Sequence, residues 1–266
     1  MLPSFAEHRF RNRPRLLVRE PQAKPYDIAS PLHAFILTIK RMNATAVVIG
    51  ATGLTGLELV NQLCNDAHYT AVIAVVRKPY DFKLKRVTTL ALDFETWVDA
   101  PSALARQLAS RLTDASPVHA FCCLGTTIKL ARSEAAFRRV DFEYTVAFAR
   151  AVHELGALHL GVVSALGADA RSRVFYSRVK GETEAAIAGV SLPSIHFVRP
   201  SFLDGDRKTN RPGERLGVIA TKLLSPMLAR RLRRYRAVSA SRVATALRAK
   251  ASEAPVGVWV SESETL

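Results

Sequence analysis

Two sets of residues combine types and spacings that could do chemistry. The first is Gly50-Ala51-Thr52-Gly53-Leu54-Thr55-Gly56, with glycines at intervals of three. Such glycines permit a tight turn and close backbone approach, and the amides and dipole at the start of a following helix attract phosphate. The loop therefore reads as a cradle for the pyrophosphate of a dinucleotide, the alternative being a plain turn. The second set is Ser164, Tyr176 and Lys180. A phenol and an ammonium four residues apart share one helix face. A tyrosine with an ordinary pKa of ~10 exchanges protons near neutrality only if a neighbouring cation favours its phenolate. A serine hydroxyl nearby could donate to an oxygen on which negative charge develops. Tyr-x-x-x-Lys alone arises often by chance, so its weight comes from the elements around it.

Those elements form an alternating series. Thr45–Gly50 is a short apolar run with the composition of a strand buried on both faces, and a helix follows over 53–67. Further strands are expected at 70–76, 87–92, 118–124, 158–163 and 195–198, with helices at 101–112, 133–155 and 175–188. In the long helix, Phe137, Val140, Tyr144, Phe148 and Val152 fall on one side. Strands alternating with helices of this length imply βαβ units and a doubly wound parallel sheet, an α/β fold. From Pro200 the rhythm breaks. Helices near 214–228 and 239–249, the basic run Arg230–Arg236 and a late strand at 256–260 suggest a small, mostly helical substrate-side cap. The division expected is thus an amino-terminal stretch of 1–41, a nucleotide-binding domain of 42–199 and a cap of 200–266.

Ligands bind at the carboxyl ends of strands in such sheets, and Ser164 follows one of them. At the end of the second strand stands Arg77, where an NAD-selective fold places an acidic side chain. A guanidinium suits the 2′-phosphate of NADP instead, so NADP(H) is favoured over NAD(H), unless Arg77 is simply solvated. Asp93-Phe94, just past the third strand, either borders the adenine or belongs to an ordinary loop. Cys122 and Cys123 fall in an expected buried strand beside His119, so nucleophilic cysteine chemistry is set aside.

Composition narrows the classes further. The chain has 266 residues, is 48% hydrophobic and carries a net charge of +15, with basic residues concentrated in 1–41 and 199–250. This is too apolar for a disordered chain, has no run long enough to span a membrane, and has too few cysteines for a disulfide framework. No Cys/His spacing suggests a metal site. A soluble, cytoplasmic globular protein is expected. Residues 1–41 mix arginine and proline without helical or strand period. They read as a flexible basic arm or as sequence ahead of a natural start at Met42, with an arginine-rich organelle presequence as a further alternative that Glu7, Glu20 and Asp27 weaken.

The loop Gly50–Gly56, Phe121-Cys-Cys-Leu-Gly-Thr-Thr127, Arg139-Val-Asp141, Tyr176-Ser-Arg-Val-Lys180 and Val198-Arg-Pro-Ser201 occur in this order. Together they resemble the atypical short-chain dehydrogenase/reductase superfamily, and within it the Tat-interacting-protein-type oxidoreductase branch. The resemblance runs from about Asn43 to Ala251. It implies a Rossmann fold binding NADP(H), with Gly50, Thr52, Gly53, Leu54, Thr55 and Gly56 at the pyrophosphate and Arg77 at the 2′-phosphate. It further implies Leu124, Gly125 and Thr126 along the ribose, Arg199 and Pro200 beside the nicotinamide, and Ser164, Tyr176 and Lys180 as the catalytic triad. One position departs: where many members carry a helix asparagine that orders a proton-relay water, this chain has Asp141.

The function expected is hydride transfer between NADP(H) and a small carbonyl or alcohol, a small-molecule substrate. The alternative is an NADPH-responsive sensor that engages a protein partner without turnover. A homodimer is compatible with either. Nucleic acid ranks last as a partner, because only Tyr235 interleaves with the arginines of 230–236.

Overall fold

The computed structural model describes residues 43–112, 116–204 and 233–266. Its first strand, β1 (Ala44–Ile49), shows why the chain must build a sandwich. All six residues are buried. Val47 and Ile49 face one apolar cluster, while Ala44, Ala46 and Val48 face another. A strand that is apolar on both sides needs a layer against each side.

The chain supplies those layers in turn. Helix α1 (Leu54–Cys64) follows β1, then come β2 (Tyr69–Val76), β3 (Val87–Ala91), α2 (Pro101–Ala109) and β4 (Val118–Cys122). Short helices α3 (Ile128–Ala131) and α4 (Glu134–Arg138) lead through a π-helical turn, Arg139–Tyr144, into α5 (Thr145–Glu154). After β5 (His159–Val163), α6 (Phe175–Ala188) and β6 (Ser194–Arg199), a two-residue pair, β7 (Leu203–Asp204) and β8 (Val238–Ser239), precedes α7 (Ala240–Glu253) and β9 (Gly257–Glu262). The main sheet has seven strands in the order β3-β2-β1-β4-β5-β6-β9. Every neighbouring pair in it is parallel. This is the expected doubly wound α/β sheet.

One face of the sheet packs Leu104 and Leu108 of α2 with Phe148 and Val152 of α5. The other packs Leu59 and Leu63 of α1 with Val243 and Leu247 of α7. Gln62 of α1 donates to the Ser241 carbonyl at 3.0 Å, and Arg248 pairs with Asp66, so the two helices of that layer are tied by polar bonds too. The strand order reverses between β1 and β4, leaving a crevice outside their carboxyl ends where such sheets take ligands.

Three details differ from the sequence-based expectations. The helix expected over 133–155 is broken by the π-helical turn at 139–144, which rotates the residues following it. The fourth strand stops at Cys122, so Leu124 already lies in the loop. From residue 240 the chain completes the sandwich: α7 covers a sheet face and β9 adds the seventh strand beside β6. Residues 205–232, which hold the helix expected at 214–228 and the start of the basic run, lie outside the described residues, as do residues 1–41. Among the described residues, no helix is long and apolar enough to cross a membrane.

Candidate cofactor and active site

The glycine turn is built by steric necessity. Gly50 has a φ of +75°, and a Cβ there would lie 2.6 Å from the Cys123 carbonyl carbon and 2.7 Å from the Leu124 nitrogen. Only glycine lets the exit of β1 pass so close to the exit of β4. The Gly53 amide donates to the Gly50 carbonyl at 3.0 Å, closing the turn. At Gly56 a Cβ would meet the Gly50 oxygen at 2.1 Å, so the third glycine seats α1 on the turn. Among the described residues, no side chain caps the start of α1, and its first turn contains no acidic residue. The Thr55 hydroxyl, in that turn, is buried and has no hydrogen-bond partner among the described residues. Uncapped amides and an orphaned hydroxyl are what an anion at a helix start would satisfy. Thr52 and Gly53 are exposed and Leu54 half-buried, so the turn is open to a ligand.

Arg77 is exposed at the end of β2, and no ion pair occupies it among the described residues. Asp93 is exposed as well, but its carboxylate caps the short turn Phe94–Thr96 by accepting from the Glu95 amide at 3.1 Å. Phe94 is only 2% exposed and packs against Trp97 and Tyr144, which places its ring in the core rather than beside an adenine.

The second half of the site lies past β4 and β5. The Thr126 amide donates to Asp141 Oδ2 at 2.9 Å, and Lys180 Nζ lies 2.7 Å from Asp141 Oδ1. Asp141 sits in the π-helical turn, fully buried. The Thr183 hydroxyl of α6 donates to the Asp141 carbonyl at 3.0 Å. Gly125 faces this pair: a Cβ there would come 3.8 Å from Asp141 Oδ1 and 3.9 Å from Lys180 Nζ. Burial works against the Lys180 ammonium, but the Asp141 carboxylate and the Tyr176 phenol outweigh it and raise its pKa. Lys180 therefore stays charged. Tyr176 stands one turn earlier on α6, its ring 5.4 Å from that of Phe137. The helix is held close to the preceding loop at Gly181, where a Cβ would lie 2.1 Å from the Ala170 nitrogen.

Ser164 follows β5, its amide donating to the Val198 carbonyl at 2.8 Å. Its hydroxyl donates to Glu184 Oε1 at 2.5 Å. Arg199 grips both oxygens of Glu184, Nε to Oε1 at 2.9 Å and Nη2 to Oε2 at 2.5 Å, and its Nη1 reaches Glu262 at 2.8 Å. These bonds with Glu184, and then Glu262, raise the Arg199 pKa against the cost of burial. Arg199 thus ties α6, β6 and β9 together, while Pro200 is buried and accepts the Leu166 amide at 2.9 Å. Glu184 was not singled out in the sequence. The signal existed, because Tyr176, Lys180 and Glu184 continue one spacing of four along a helix face. Burial pushes the Cys122 thiol up to about 11, which leaves little thiolate there. Among the described residues, no cluster of His, Cys, Asp or Glu could hold a metal ion.

A family model described as NAD(P)H-binding matches residues 50–212, a span that contains both halves of the site. The chain belongs to this NAD(P)H-binding family. Protein HTATIP2 of Rattus norvegicus is 30% identical over 179 residues, covering 66% of this chain and 69% of that protein. Protein FMP52, mitochondrial, of Coccidioides immitis is 31% identical over 172 residues, covering 63% and 69%. These relatives bear out the resemblance to the atypical short-chain dehydrogenase/reductases of the Tat-interacting type. The fold is shared with the Bordetella bronchiseptica enzyme WbmG in complex with NAD, at a TM-score of 0.58, 14% identity and coverage of 84% and 73%. A short-chain dehydrogenase/reductase family oxidoreductase from Burkholderia thailandensis gives a TM-score of 0.57, 18% identity and coverage of 84% and 93%. As a member of the NAD(P)H-binding family, the chain has in the uncapped turn of α1 a physical reason to hold a dinucleotide.

Proposed function

We propose that this NAD(P)H-binding chain is an NADP(H)-dependent oxidoreductase acting on a small carbonyl or alcohol. The observation that carries the reading is the convergence of two unrelated stretches on the switch-point crevice. The glycine turn after β1 meets the exit of β4, where Gly125 faces the buried Lys180 beneath Tyr176. Gly50, Thr52, Gly53, Leu54, Thr55 and Gly56 receive the pyrophosphate, Arg77 takes the 2′-phosphate, and Leu124, Gly125 and Thr126 flank the ribose. Bound NADPH supplies the hydride for the substrate carbon. The Tyr176 hydroxyl gives the proton to the substrate oxygen and regains it from solvent. Lys180 holds the ribose and keeps a positive charge beside the phenol. The compartment is proposed as cytosolic. A mitochondrial alternative follows the name of the FMP52 relative, and imaging of the full chain with a carboxyl-terminal tag separates the two.

Ser164 complicates the reading in a specific way. Its one proton points at Glu184, so donation to a substrate oxygen requires the hydroxyl to rotate away from a buried carboxylate. This favours, as a second reading, an NADPH-responsive sensor without turnover. NADPH oxidation measured over aldehydes, ketones and quinones decides between them. For the oxidoreductase, Tyr176→Phe lowers turnover by about 10²–10⁴ while NADPH affinity is unchanged. Equal turnover in both proteins removes Tyr176 as the acid, and turnover in neither favours the sensor.

A further inference from the structure

The buried charge beside Lys180 does more than fill space. Lys180 and Asp141 are 8% and 0% exposed at their side chains, and their contact of 2.7 Å cancels a full positive charge inside the crevice. One turn further along the same helix, Glu184 is paired with the half-buried Arg199 of β6, and Glu262, at the outer side of Arg199, adds a carboxylate. This inner group therefore holds Asp141, Glu184 and Glu262 against Lys180 and Arg199, with no excess of positive charge. The two redox forms of a nicotinamide differ in charge at the ring: the oxidised ring is cationic, the reduced ring neutral. A lone buried ammonium repels the first and is indifferent to the second.

We propose that Asp141 sets which redox form of the cofactor this chain retains, by matching Lys180 and so removing the penalty against the oxidised nicotinamide. The inference rests on the reading that NADP(H) binds with its nicotinamide ribose at Lys180. Asp141 is a positioning residue: it acts through Lys180 and through the Thr126 amide, which it fixes at 2.9 Å. A unit charge several ångströms away, at an effective dielectric near 20, changes relative affinity by roughly ten- to a hundredfold. An asparagine at 141 could still accept from the Thr126 amide but would leave Lys180 uncompensated.

The test is the ratio of the NADP⁺ to the NADPH dissociation constant, measured by calorimetry on the full chain without substrate. Asp141→Asn is expected to raise that ratio at least tenfold, and Asp141→Glu to leave it near the wild-type value. Lys180→Met is expected to lower it, because the carboxylate is then unopposed. The double variant Asp141→Asn/Lys180→Met restores neutrality and is expected to return the ratio towards wild type, even where both affinities fall. Should Asp141→Asn fail to fold, as judged by circular dichroism, Lys180→Met and the double variant still provide the comparison. A ratio unmoved across the folded variants, with both forms weakened alike, overturns the proposal and leaves Asp141 a packing residue. Wild-type protein that binds neither form overturns the cofactor reading itself.

Discussion

The two ends of the sheet bury polar groups in opposite ways. At the carboxyl ends, Lys180 pairs with Asp141 and Arg199 with Glu184, so each cation lies against a carboxyl group. At the amino ends, a row of histidines crosses from β4 to β6. His119 bonds the Tyr69 hydroxyl at 3.1 Å, His159 bonds Ser194 at 2.9 Å and His196 bonds Ser261 at 2.8 Å. Burial holds His119 and His196 at about 4 and lowers His159 well below its ordinary value. One end has oppositely charged partners that make charge tolerable; the other offers each ring one hydroxyl and no carboxylate bond, so burial favours the neutral form. The difference follows from the neighbours each end supplies, and under the proposed function it puts charge where a cofactor with charged and uncharged forms would sit.

Acid should break the histidine end first. With folded pKa values below the unfolded ~6.5, the unfolded chain binds protons first as pH falls. The stability contributed is complete above about pH 6.5 and is lost progressively towards pH 4. His119 and His196 together should account for a loss of order 5 kcal/mol. Urea unfolding at a series of pH values measures it, and His119→Gln or His196→Gln should flatten the slope. A slope unchanged in both variants would mean that these rings do not carry the effect.

At the charged end, Arg199→Met should cost about 3 kcal/mol, because it leaves Glu184 buried without its cation. The loss should shrink when Glu184→Gln is added, and denaturant midpoints of the three proteins test whether the pair is coupled. The smallest effect is expected at the rim, where Arg77 stands exposed. Arg77→Ala should narrow the preference for NADPH over NADH by about ten- to a hundredfold, the worth of a charge-assisted phosphate contact, with no change in stability. Equal affinity of the wild type for both cofactors would remove Arg77 from the phosphate site.

Local patterns were legible because their causes are local. The Gly50–Gly56 turn depends on residues within one turn of each other and on the strand before it, and Tyr176 and Lys180 meet through helix geometry alone. The parallel sheet followed from strands that are apolar on both faces. Contacts between distant elements were not legible in that way. Ser164 finds Glu184 only when β5 and α6 pack, and Arg199 finds Glu262 only because β9 adds beside β6. Asp141 meets Lys180 through a π-helical turn that interrupts the smooth 3.6-residue period of the sequence. Type and spacing along the chain determined which groups could react. Packing decided which of their protons and charges are already taken, because a buried charge or hydroxyl is satisfied by whatever the fold brings within about 3 Å.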